Sequence, residues 1–514
     1  MKYGVISAGH PKTAEAGIEI LKMGGNAFDA IIAAGFASCV AEVMLTSLGG
    51  GGFLLAHTQN NQNILFDFFA QTPLKKRADN LHFYPIEVNF GNAIQEFHIG
   101  LASMAVPGNV AGFIYAHKKL GKLPLEVIVE PAIHYARHGI KLNDFQHYCL
   151  TLLGPIMTEN EEMKKIFSPN GQLLKSGETY KMKKLANVLE ILASEGEKFF
   201  YYEAAKKIAA DCQKKGGHLT EEDFKSYQVI ERTPLKIDYK NYQILTNTPP
   251  SAGGILIVFA LKLLEKYNFQ NTTQKNYEYL HKLILAMEIT NIARKQKYDN
   301  KIYDKDIVEE FLGENNISNY QNKFTDYVNK WGSTTHISVV DKNGNAASMT
   351  TTNGEGSGYV VPDTEIMINN MLGEEDLNPY GFHKWKPNRR IASMMSPTIA
   401  LNQNKKVILG SGGSNRIRTA ILQTIINVID FKMDIASAIE SPRVHWEDKV
   451  LNIEPGFPKE TIKKLHIFTQ NKKDKIINWT NKNLFFGGVH GVSYCKEEIK
   501  GHGDQRRSGV SLSV

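Results

Sequence analysis

Two clusters of hydroxyl side chains in the stretch WGSTTHISVVDKNGNAASMTTTNGEGSG, which begins at Trp331, could act together. Thr334 and Thr335 stand just before the strand-like run HISVV, and Thr350 to Thr352 close the run that begins AASMT. Between the runs lies DKNGN, and Asn-Gly flanked by such runs is a strong hairpin signal, so the two threonine clusters must meet across the strands. A two-residue turn at Asn343-Gly344 would set Thr334 opposite Asn353; a three-residue loop, Lys342 to Gly344, would set it opposite Thr352. Threonine is also frequent in sheets for packing reasons alone. The hairpin by itself leaves ordinary sheet chemistry and catalysis both open.

A threonine hydroxyl is a weak nucleophile, and an adjacent N-terminal amine is one way to activate it. Cleavage of the Ser333–Thr334 bond would create that amine, with a reference pKa of about 7.7 to 8.0, close to the operating pH that suits a general base. Thr352 would then hold Thr334 in aim. His336 invites a Thr/His pair, but on a strand it points to the face opposite Thr335 and is read as packed. The glycine run of SLGGGGFLLAHT precedes a strand instead of leading from one into a helix, the reverse of a phosphate-cradling order, so it is read as tight backbone packing. The 16 histidines show no metal-ligand spacing and DKNGN lacks the calcium-loop pattern, so no metal or organic cofactor is implied.

These residues need a frame. PKTAEAGIEILKMGGNAFDAIIAAGFASCVAEV reads as two helices broken at Gly24-Gly25, the second apolar nearly all round and therefore buried between layers. VPGNVAGFIYAHKKLG is a turn into an amphipathic helix, and PLEVIVEPAIHYARHGIKLN is helical up to its closing glycine. LTEEDFKSYQV offers a threonine N-cap and an acidic first turn. TNTPPSAGGILIVFALKLLEKY is a loop feeding another buried helix. From 271 to 327 the pattern is helical and charged; short alternating strands follow.

With 514 residues, 42% of them apolar and 22% charged, the composition is that of a globular chain with a large core, and length alone allows more than one domain. The net charge of +7 arises from 60 basic and 53 acidic residues interspersed throughout. No basic stripe marks a nucleic-acid footprint. Cys39, Cys149, Cys212 and Cys495 lie far apart, which predicts free thiols. The opening MKYGVISAGHPKTAEAG has no apolar signal core, and the apolar stretch IIAAGFASCVA is too short to span a bilayer. A soluble cytoplasmic protein without a membrane partner is expected.

Taken in order along the chain, ILKMGGNAFDAIIAA, LGGGGFLL, VPGNVAGF, PPSAGGI, STTHISVVDKNGNAASMT, INNMLGEEDLNP, SMMSPT, LGSGGSNRI, SPRVHWE and GDQRRSG resemble the gamma-glutamyltransferase (gamma-glutamyltranspeptidase, glutathione hydrolase) family of N-terminal nucleophile hydrolases. The resemblance covers essentially the whole chain. It implies an α+β fold, a four-layer αββα sandwich, made as a precursor that cuts itself between Ser333 and Thr334. The large subunit would be 1–333 and the small one 334–514, staying together as one unit; a homodimer of that unit stays open. The implied reaction passes a gamma-glutamyl group from an amide such as glutathione to water, an amino acid or a peptide through an ester on Thr334.

Carried over residue by residue, the resemblance implies Thr334 as nucleophile, Thr352 as its orienting neighbour, and Gly413 with Ser414 as the oxyanion pair, or Gly412 with Gly413 if the match slides by one. Glu374, Glu375 and Asp376 would hold the donor's α-amine. The serine pair for its α-carboxylate falls on Ser393 and Met394. The family arginine falls on Phe69, with Arg77 taken as its substitute ahead of Lys75 and Lys76; the family asparagine falls on Gly354, with Asn353 beside it. The loss of anchors at Phe69 and Met394 keeps alive a related acylase for another acyl group, such as a cephalosporin side chain or poly-gamma-glutamate. An inactive, uncleaved scaffold is the third reading. The segment between INNMLGEED and SMMSPT is shorter than in members with a lid loop, so an open pocket is expected.

Overall fold

One turn sets the register of the fold. In the computed structural model, which describes residues 3–89, 94–269, 272–320, 333–378, 380–495 and 498–514, Gly344 takes φ 81° and its N–H donates to the Asp341 carbonyl at 3.0 Å. Asp341 N–H in turn donates to the Asn345 carbonyl at 3.1 Å. The strands Thr335–Asp341 and Ala346–Thr352 therefore pair Thr335 with Thr351 and Val340 with Ala346. This is the three-residue loop, and its next rung joins Thr334 and Thr352. The two-residue alternative is excluded.

The hairpin occupies the centre of an antiparallel sheet of seven strands, ordered Val510–Ser513, Gly4–Ala8, Thr335–Asp341, Ala346–Thr352, Gly51–His57, Asn63–Phe68 and Ile230–Arg232. The glycine run makes the central position accessible: a Cβ at Gly50 would stand 2.3 Å from the Thr352 carbonyl oxygen, and one at Gly52 2.5 Å from that of Thr350. Close packing, as read from the order of the run, is what those glycines provide. A second antiparallel sheet has the order Glu498–Gly503, Gly488–Cys495, Lys405–Gly412, Thr398–Leu401, Tyr242–Thr246 and Leu235–Tyr239.

The two sheets face one another, the hairpin packing on Lys405–Gly412 and Gly488–Cys495. Helices Pro11–Lys22 and Ala27–Ala41 cover the outer face of the first sheet; Ala252–Leu264 and Arg416–Ile429 cover that of the second. Ala27–Ala41 is buried on every side, as its composition demands, and starts at an Asn26/Asp29 capping box. Thr220 caps Glu221–Lys225 in the same way, with Asp223 as its partner. Alternation then fixes the hairpin's faces: Thr335, Ile337 and Val339 turn toward the helices, while His336, Ser338 and Val340 turn toward the second sheet. The helical reading of 271–327 holds for Tyr277–Ala293, Ile307–Leu312 and Glu314–Asn319; from 321 to 332 it lies outside the described residues. No helix among the described residues is long and apolar enough to cross a membrane.

Candidate active site

Thr334 stands one residue before its strand, on the inter-sheet face, and is only 5% exposed. Ser333, the residue before it, is gripped at both its carbonyl and its N–H. Thr352 Oγ1 donates to the Ser333 carbonyl oxygen, and Thr334 Oγ1 donates to the same oxygen at 2.7 Å. Thr352 Oγ1 also accepts the Gly354 N–H at 3.0 Å, which commits its own proton to the carbonyl. At the other end, Glu355 Oε1 accepts the Ser333 N–H at 3.2 Å. On the far side of Thr334, its carbonyl accepts Arg507 Nη1 at 3.1 Å and lies so close to Gly412 that a Cβ there would stand 2.2 Å away. The strand Lys405–Gly412 leaves through Gly413, at φ 121°, a conformation that only glycine adopts without strain.

The doublet is divided between two jobs. Thr335 Oγ1 donates to Glu42 Oε2 at 2.5 Å, and Thr13 Oγ1 donates to Glu42 Oε1 at 2.7 Å, so Thr335 anchors the strand to the end of the buried helix. His336 is packed, as its face implied. Its ring sits between Thr350 Oγ1 at 2.8 Å and Ser338 Oγ at 2.9 Å, and burial holds it neutral, well below the ordinary histidine range.

Burial, together with neighbouring carboxylate charge, pushes the Glu355 and Glu374 carboxyls above the ordinary range. Burial raises Asp376 as well, and it accepts the Ser414 hydroxyl. Thr334, Thr352, Glu374, Asp376, Ser393, Met394 and Ser414 all line one cavity of about 440 Å³. Phe69 is in its wall too, stacked on Phe53 at 5.5 Å.

Other expected residues lie elsewhere. Glu375 is exposed and outside the lining. Asn353 accepts the Ser47 hydroxyl at 2.9 Å and donates its N–H to Leu45, bracing the turn from behind. Arg77 is turned away, its guanidinium donating to the carbonyls of Asp79, Cys212 and Gln213. Lys76 reaches the His383 carbonyl at 3.0 Å, and Lys75 is exposed. Ser393 lines the cavity, but its hydroxyl accepts the Met395 N–H at 3.1 Å. Two residues went unassigned in the sequence: Arg507, although it sits in the quoted GDQRRSG, and Glu355, for which TNGEG carries no pattern. Arg294, in the lining and paired with Asp299 at 3.0 Å, is a third.

A hairpin threonine aimed at its own upstream carbonyl, between two antiparallel sheets enclosed by helices, defines the layered architecture of N-terminal nucleophile hydrolases. Residues 13–514 match the family model described as Gamma-glutamyltranspeptidase, and the chain belongs to that family. It is 34% identical over 504 residues to the glutathione hydrolase proenzyme of Escherichia coli strain K12, covering 90% of this chain and 85% of that protein. It is 29% identical over 561 residues to the glutathione hydrolase proenzyme of Bacillus subtilis strain 168, covering 100% and 92%. Among solved structures, the cephalosporin acylase from Bacillus halodurans superimposes with a TM-score of 0.86 at 25% identity, over 99% of this chain and 96% of that one.

Proposed function

We propose that this chain is the precursor of a gamma-glutamyl hydrolase or transferase that cuts itself at Ser333–Thr334, giving subunits 1–333 and 334–514. The observation that carries this reading is the pair of hydroxyls, Thr334 and Thr352, on one carbonyl oxygen. In maturation, Thr334 Oγ attacks the Ser333 carbonyl carbon while Thr352 stabilises the charge growing on oxygen. The C–N bond breaks, the nitrogen takes up the hydroxyl proton, and the resulting ester is hydrolysed to a Ser333 carboxylate and a free Thr334 amine. In turnover that amine takes the Thr334 hydroxyl proton, the oxygen attacks the donor's gamma carbonyl, and the leaving amine departs protonated. Water or an amine acceptor then frees the glutamyl group. Gly413 with Ser414, or Gly412 with Gly413 if the match slides by one, supply the backbone donors for the turnover oxyanion, and Glu374 with Asp376 receives the donor's ammonium.

A related acylase for a different acyl group is the second reading, favoured by Phe69 and Met394 in the cavity wall where the family places anchors for a carboxylate, and by the likeness to an enzyme titled cephalosporin acylase. One assay separates them: release of p-nitroaniline from gamma-glutamyl and from glutaryl p-nitroanilide. Faster release from the gamma-glutamyl amide supports the first reading. Preference for glutaryl, which has no α-amine, overturns the role given to Glu374 and Asp376 and favours the second.

A further inference from the structure

Three exposed cations outnumber the single exposed carboxylate, Asp304, in the cavity lining. Glu374 and Asp376 lie in its partly buried interior, whereas Lys384, Lys386 and Arg389 in its lining are exposed. None of the three has a carboxylate within ion-pair distance among the described residues. The segment that carries them is pinned by its backbone. Thr72 Oγ1 donates to the Lys386 carbonyl at 2.7 Å and accepts the Arg389 N–H at 2.8 Å, Thr72 N–H donates to the Arg389 carbonyl, and Asn388 N–H donates to the Pro73 carbonyl at 3.0 Å. Flat rings share the lip. The Arg389 guanidinium lies 5.3 Å from the Tyr303 ring centre, and Tyr303 is held in turn by its hydroxyl on the Arg390 carbonyl at 2.8 Å. Trp385 lines the cavity beside them.

Fixed backbone, exposed cations and aromatic faces at the mouth of a cavity that holds a nucleophile make a subsite for the part of the substrate that departs or accepts. We propose that this lip recognises a carboxylate on the leaving amine, and on the amine acceptor, so that donors with an acidic leaving group, such as peptides ending in a free carboxylate, are preferred over neutral amides. The inference rests on the acyl-transfer reading for its meaning but not for its test.

The test compares gamma-glutamyl p-nitroanilide with its 3-carboxy-4-nitroanilide counterpart on the processed protein and on a Lys384→Gln/Lys386→Gln/Arg389→Gln variant, all three positions being exposed. Exposed ion pairs are individually weak, so three together should raise the KM of the carboxylated donor roughly three- to tenfold. The neutral donor should change less than about twofold, and added salt should erase the preference in the native protein. Equal loss on both donors, or none on either, overturns the proposal. Binding of free 5-amino-2-nitrobenzoate, measured by calorimetry, reads the lip independently of turnover: weaker binding by the variant supports it and unchanged binding refutes it. Failure to turn over either donor would remove the reading of the reaction and leave this arm to decide.

Discussion

The triple threonine is a set of three adjacent residues with three different duties, which gives a sharp prediction. Thr352 Oγ1 donates to the Ser333 carbonyl and accepts from Gly354 N–H, Thr350 Oγ1 meets His336, and Thr351 Oγ1 is buried without a hydrogen-bond partner among the described residues. Thr352→Val keeps the shape and removes the hydroxyl. Under the proposed cleavage it deletes a donor to the developing oxyanion, a loss of about 2.7–4 kcal/mol, or roughly 10²–10³ in rate. It also strands the Gly354 N–H, costing about 1–3 kcal/mol of stability. Thr351→Val removes an unsatisfied hydroxyl instead, so its stability should be unchanged or slightly higher and its cleavage unaffected. The assay is pulse-chase loss of the full-length band on a denaturing gel, with Thr352→Ser expected to restore most of the rate. Cleavage of Thr352→Val at the native rate, or equal slowing of Thr351→Val, would refute the assignment.

Three further outcomes follow from the same geometry. Glu355→Ala removes the acceptor of the Ser333 N–H and should slow cleavage about tenfold, while circular dichroism stays native. Gly412→Ala forces a methyl group onto the Thr334 carbonyl oxygen, so it should lose about 1–3 kcal/mol of stability and most of its cleavage, seen as a lower melting temperature and a persistent precursor. The pH dependence has a definite sign. The Glu355 and Glu374 carboxyls are raised by burial, so the folded chain holds protons that the unfolded chain releases. Stability is therefore lost as pH rises from the ordinary carboxylate value of about 4.3 through the raised one, about 8 for Glu355. Uncleavable Thr334→Ala protein should melt lower at pH 9 than at pH 7, a window above the titration of the buried neutral histidines, and Glu374→Gln in that background should flatten the slope.

The hairpin was legible because its physics is local. Asn-Gly between strand-like runs restricted Thr334 to two registers, and the pairing of Thr335 with Thr351, with only Gly344 of the Asn-Gly pair left-handed, chose between them. His336 was placed on the correct face by the same two-residue period. Helix Ala27–Ala41 was readable because an all-round apolar helix has to be buried. What the sequence could not carry is contact between distant segments. Glu355 meets Ser333 only because the chain turns back immediately after Thr352, and Arg507 reaches the Thr334 carbonyl from the far end of the molecule. The same limit applies to Arg77: proximity in sequence to Phe69 suggested a substitute anchor, whereas the side chain is committed to carbonyls of the helix end at Cys212 and Gln213. The basic lip was also hidden, since nothing in HKWKPNRR announces that Thr72 fixes it over the cavity.

Mass spectrometry of the purified chain tests the central claim most directly. The 57.6 kDa chain should resolve into pieces of roughly 37 and 20 kDa, the smaller beginning at Thr334 and gaining one glutamyl group on that residue after brief exposure to a gamma-glutamyl amide. Thr334→Ala should remain a single chain. An intact native chain after long incubation, a cut at another bond, or acyl transfer to a different residue would contradict it.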